Sequence, residues 1–174
     1  MSEASARTLL IGYGNPGRLD DGLGPALAQA VEAADLPGVS VEADYQLTVE
    51  DSADVARHER VLFVDADTSG PEPFWVKRLQ AADDGFSFST HSVRPEAVLA
   101  LARDLFRAEP ETWLMGIRGY EFNGFGEGLS DRARTNLAAA LDWVESAIRR
   151  GGFTEVLPAA GQPDAAPEGH EPRR

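Results

Sequence analysis

Short apolar runs alternate along this chain with longer stretches in which apolar residues return every three or four positions. Thr8-Leu9-Leu10-Ile11-Gly12 reads as a buried first strand ending in glycine. Leu23, Leu27, Ala30, Val31 and Ala34 then share one helical face, with periodicity starting around Asp21 and a stop at Leu36-Pro37-Gly38. Val39-Ser40-Val41-Glu42-Ala43 predicts a second strand and residues 49–57 a short second helix. Arg60-Val61-Leu62-Phe63-Val64-Asp65 is the clearest strand, a continuous apolar run ending in a carboxylate.

Phe74-Trp75-Val76-Lys77-Arg78-Leu79 mixes apolar and basic residues and suits an edge strand, whereas residues 86–92 read as a polar, aromatic loop. Arg94-Pro95-Glu96 opens a third helix whose apolar face is Val98, Leu99, Leu101, Ala102, Leu105 and Phe106. Thr112-Trp113-Leu114-Met115-Gly116-Ile117 is a further buried strand. Ser130 is placed to cap a last helix striped by Leu137, Leu141, Val144 and Ile148. Alternating strands and helices predict one α/β domain, a twisted, mainly parallel sheet sandwiched by helices, over residues 1–152. Residues 153–174, rich in Pro, Ala, Gly and Glu, are expected to be a disordered tail.

Composition narrows the chemistry. The 174 residues contain no cysteine, so disulfides and thiolate ligands are excluded. With 29 acidic against 16 basic residues the net charge is −13, opposed to a broad nucleic-acid footprint. Neither a membrane-length apolar run nor an export signal is evident, and a cytoplasmic protein is expected.

Gly12-Tyr13-Gly14-Asn15-Pro16-Gly17 satisfies the G-x-G-x-x-G dinucleotide pattern. That reading needs the third glycine in the first helical turn, with free amides facing pyrophosphate. Here the loop is several residues too long, and Asp20 and Asp21 stand at the helix entrance, where they would repel a phosphate. One aspartate can serve as a cap. The second is then left to point from the mouth of the sheet.

In an open parallel sheet the functional crevice lies beyond the carboxyl ends of the strands. Three segments should meet there: the first loop with Asp21, the end of the third strand with Asp65 (and Asp67 beyond it), and Ser89-Thr90-His91-Ser92 with His91. Two carboxylates and an imidazole suit a borderline divalent ion and leave coordination positions open. Each residue has a plain structural alternative as a cap, a turn former or a polar surface group. His58 and His170 are assigned no role. No G-x-S-x-G elbow, HExxH helix or P-loop is present, and Ser89 and Ser92 lack an evident orienting arrangement for a serine triad.

The ordered set Gly12-Tyr13-Gly14-Asn15-Pro16-Gly17-Arg18-Leu19-Asp20-Asp21-Gly22-Leu23-Gly24, Phe63-Val64-Asp65-Ala66 and Ser89-Thr90-His91-Ser92 resembles the nickel–iron hydrogenase maturation endopeptidases. Leu114-Met115-Gly116-Ile117 and Gly128-Leu129-Ser130 look similar too, so the resemblance spans about residues 8–150. It implies a helix-sandwiched sheet and an endopeptidase that removes the C-terminal extension of a hydrogenase large-subunit precursor after nickel insertion. Carried over by motif, the catalytic, metal-contacting residues are Asp21, Asp65 and His91. The nickel would arrive with the precursor, and the ion or water bound to it would polarise the scissile carbonyl or supply the nucleophile. No nucleotide is implied. Gln46-Leu47-Thr48 also resembles a family element bordering the cleft, although helix capping by Thr48 is the simpler reading. The alternative function is a non-catalytic metal-binding or chaperone module for hydrogenase assembly.

Overall fold

The protein, seen as a computed structural model, is described over residues 7–83 and 93–158. Five strands form one sheet: β1 (Thr8–Tyr13), β2 (Val39–Asp44), β3 (Arg60–Asp67), β4 (Phe74–Arg78) and β5 (Glu111–Arg118). Their order is β2-β1-β3-β5-β4. All pairings are parallel except β4 against β5, so the basic, aromatic segment is an edge strand as its composition suggests. The helices are α1 (Leu23–Ala33), α2 (Asp51–Ala56), α3 (Pro95–Phe106) and α4 (Asp131–Arg150).

Strand alternation divides the core in two. Leu10, Leu62, Val64, Met115 and Ile117 face the side packed by Leu27 and Val31 of α1 and Ala140 and Val144 of α4. Leu9, Ile11, Val61 and Phe63 face the side packed by Val55 of α2 and Val98, Leu99 and Ala102 of α3. Helices cover both faces, as a parallel sheet requires.

The element predictions differ from the structure mainly at boundaries. The first helix is preceded by a 3-10 turn, Leu19–Gly22, so regular α-structure begins after both aspartates. Ser130 caps α4 as expected, its hydroxyl accepting from the amide of Ala133 at 3.3 Å. At α2 the roles reverse: the Thr48 amide donates to the Asp51 carboxylate at 2.7 Å, so Asp51 reaches back to do the capping.

Packed chain also continues past residue 152, where the sequence reading places the start of a tail. Phe153 is buried between Trp113 and Trp143, and Val156 exchanges both backbone hydrogen bonds with Val76 on the outer border of β4. An aromatic side chain with a covered ring to fill is enough to hold those residues down. The remainder of the expected tail, residues 159–174, lies outside the described residues.

Candidate functional site

β1 sends its chain to β2 on one side while β3 lies on the other, so the strand order reverses between β1 and β3. Ligands of open α/β sheets bind at such a reversal, beyond the carboxyl ends of the strands. The loop after β1 and the end of β3 supply the side chains there.

The glycines of the first loop serve packing. A Cβ on Gly12 would lie 2.1 Å from the carbonyl oxygen of Gly24, and one on Gly24 would lie 2.4 Å from that of Tyr13. The pair lets α1 press directly on β1, with no phosphate needed to account for them.

Asp20 and Asp21 then separate into different roles. The Asp20 side chain is fully buried and accepts from the amides of Tyr120, Glu121 and Ser130 and from the Ser130 hydroxyl, at 2.7–3.0 Å. Burial works to raise its pKa, but those donors outweigh it and hold the carboxyl below its ordinary value. Asp20 is therefore an anchor between two loops. The backbone joins in: Leu19 donates to Gly126, and Gly126 to Gly17, at 3.1 and 2.8 Å.

Asp21 is half-buried, and one of its oxygens accepts from the Asn15 amide at 2.8 Å. Its charge reaches Asp65. Burial pushes the Asp65 carboxyl up to about 6, and the negative charges of Asp21 and Asp67 add to the rise. The Ala66 amide, donating at 2.8 Å, and the Tyr13 hydroxyl act in the opposite direction. Among the described residues neither Asp21 nor Asp65 has an ion-pair partner. Two neighbouring carboxylates without a counter-charge form a cation-seeking arrangement.

The flanks are rigid. Asp65 lies in register with Gly116, and Gly116 with Trp75, whose indole occupies the space a Cβ on Gly116 would need. The Trp75 indole donates to Asp67 at 2.5 Å. Burial tends to raise Asp67, but this bond and the Ser69 and Gly70 amides keep it below its ordinary value. Asp67 thus closes the turn after β3. The aromatic stretch after β5 divides similarly: Tyr120 is held between the Arg118 and Arg132 guanidiniums, whereas Phe125 is 92% exposed.

The third expected member, His91, lies outside the described residues. Sequence reasoning passed over two features of this edge. Tyr13 stands beside Asp65 on the same face of the sheet, one position past the Gly12–Val64 pairing. Glu42, Asp44 and Asp51 bring carboxylate oxygens within 4.8 Å of one another, and burial, then Asp54, pushes Glu42 up to about 7. That second acidic group lies at the ends of β2 and α2, and Asp51 is already committed to Thr48.

No protein-family model matches the sequence, and no curated protein does either. Solved structures do. A [NiFe] hydrogenase maturation protease HycI from Thermococcus kodakarensis KOD1 superposes with a TM-score of 0.65 at 19% identity, covering 83% of this chain and 93% of that one. The endopeptidase HybD from E. coli gives 0.64 at 20% identity, over 86% and 96%. The hydrogenase 2 maturation peptidase from Thaumarchaeota archaeon SCGC_AB-539-E09 gives 0.61 at 24% identity, over 82% and 98%. The five-stranded, helix-sandwiched chain has the fold of the [NiFe] hydrogenase maturation proteases.

Proposed function

We propose that this protein is a processing endopeptidase that removes the C-terminal extension of a nickel–iron hydrogenase large-subunit precursor once nickel has been inserted. The observation that carries the reading is the nearness of Asp21 and Asp65, two carboxylates without a counter-charge among the described residues, at the reversal point of a maturation-protease fold. Nickel enters as part of the substrate, and Asp21, Asp65 and His91 complete its coordination. Three protein donors leave coordination positions open on such an ion, so occupancy depends on the ligands that the precursor brings. Once docked, the ion acts as the Lewis acid at the scissile carbonyl.

Asp20 supports this arrangement from behind by fixing the loop that carries Asp21. The acidic edge also limits what can dock, since it repels anionic segments and favours a cationic centre.

The decisive experiment incubates the purified protein with nickel-loaded and nickel-free precursor and weighs the products. A shortened product from loaded precursor alone is expected. Loaded precursor left at full length would overturn the reading. His91→Ala should likewise abolish the shortened product.

A further inference from the structure

β2 borders the sheet opposite β4, and among the described residues no strand pairs with its outer side. Gly38 and Asp44 accept from the amides of Thr8 and Gly14, at 2.9 and 3.0 Å. Backbone groups alternate between the two sides of a strand, so Ser40 and Glu42 also turn theirs toward β1. Those of Val39, Val41 and Ala43 point away. The Val39 amide is taken by Leu36 at 3.3 Å, but the amides and carbonyls of Val41 and Ala43 have no backbone partner among the described residues. They form an open ladder.

Side chains along this border are sorted by face. Val39 and Val41 pack on the cluster beneath α1 and α4. Glu42 and Asp44 stand in register with Ile11 and Tyr13 and so share the α2 and α3 face. There Glu42, Asp44 and Asp51 bring carboxylate oxygens within 4.8 Å of one another. Among the described residues neither Glu42 nor Asp44 forms an ion pair. An incoming strand sets every second side chain on that face, two residues apart as Glu42 and Asp44 are, and charge complementarity requires those side chains to be basic. Tyr45, just past the end of β2, is 72% exposed and offers a ring to a cation there.

Asp44 is in register with Tyr13, and the chain after Tyr13 enters the loop that carries Asp21. A strand laid on β2 lies roughly 10 Å from β1, at two strand spacings. It leaves the sheet at the edge where Asp21 and Asp65 stand, so a segment held there is delivered to the candidate site.

We propose that the open border of β2 receives a basic, extended segment of the precursor as a sixth strand, with Lys or Arg at two positions two residues apart beside Glu42 and Asp44. Main-chain hydrogen bonds to Val41 and Ala43 supply affinity, and the two carboxylates supply selectivity. The identity of the occupant rests on the endopeptidase reading; the strand addition itself does not.

A synthetic peptide containing Lys-Val-Lys in a strand-forming context serves as the probe, with a Glu-Val-Glu peptide and an alternately N-methylated Lys-Val-Lys peptide as controls. Fluorescence anisotropy should show binding of the first alone, weakening as salt is raised. Hydrogen exchange at the Val41 and Ala43 amides should slow when it binds. Glu42→Gln combined with Asp44→Asn should weaken binding about 5–30-fold, as loss of two exposed charge pairs does. The same double variant should raise KM for nickel-loaded precursor by a similar factor with kcat unchanged. Equal binding of the N-methylated or Glu-Val-Glu peptide, or unaltered exchange at Val41 and Ala43, overturns the strand addition. So does a dimer in sedimentation that the peptide fails to dissociate, because a second copy then holds the border. Peptide binding with an unchanged KM overturns the precursor as occupant. If the wild type leaves loaded precursor uncut, the endopeptidase reading fails, and the peptide and exchange measurements alone decide the strand addition.

Discussion

Ser130 gives both its amide and its hydroxyl to Asp20, at 2.8 and 2.7 Å, across 110 residues of chain. The same Ser130 hydroxyl accepts from Ala133 to cap α4, so one buried carboxylate ties the first loop to the start of the last helix.

Asp20→Asn should therefore destabilise the protein by about 2–4 kcal/mol, because an amide presents two donors to a pocket built wholly of donors. Urea unfolding at pH 7 measures it. Since the folded-state pKa of Asp20 is depressed, its contribution is present above the ordinary carboxylate value and is lost as pH falls through the folded one. The gap between wild type and variant should accordingly narrow in strong acid.

Asp21→Asn is expected to behave oppositely to its neighbour's variant. It keeps an acceptor for the Asn15 amide and should fold with a midpoint near that of the wild type. Processing should slow by more than the roughly 10–100-fold that supporting groups around a metal cost. Asp21→Glu, which keeps charge and oxygen donation, should retain more activity. Equal rates for the Asn variant and the wild type would count against contact with the ion.

Asp65→Asn should raise stability at pH 8 while abolishing processing. The raised pKa means that the wild type carries its full stability below the ordinary value of 3.8 and loses it as pH rises through about 6. Removing the charge recovers up to about 3 kcal/mol at pH 8 and almost nothing at pH 3.5. Thermal midpoints at the two pH values test this. Wild-type processing should also weaken below pH 6, where a proton competes with the ion for Asp65.

Gly24→Ala should cost about 3 kcal/mol or more, because its Cβ would fall within 3 Å of three backbone atoms of Tyr13 and Val64. Nucleotide binding is irrelevant to that expectation, so loss of fold without any bound nucleotide in the wild type would identify these glycines as packing residues.

These glycines also show where sequence reading stops. Among the described residues, the alternation of apolar runs and helical repeats is enough to locate the five strands and four helices, and Asp65 is conspicuous as a carboxylate ending a buried run. The loop pattern argued against pyrophosphate but could not say what the glycines were for, since close approach of α1 to β1 is a three-dimensional fact. Nor could it decide between Asp20 and Asp21. Their difference arises from residues 120–130, whose amides converge on Asp20 only after the sheet has formed. Tyr13 was missed for a similar reason: in one dimension it belongs to the glycine loop, whereas in register it belongs beside Asp65.

The pairing of Val156 with Val76 covers the middle of β4's outer border, while among the described strands β2 has a neighbour on one side only. Edge-to-edge pairing through β2 would bring Glu42 and Asp44 of one copy toward those of another, and that negative charge opposes it.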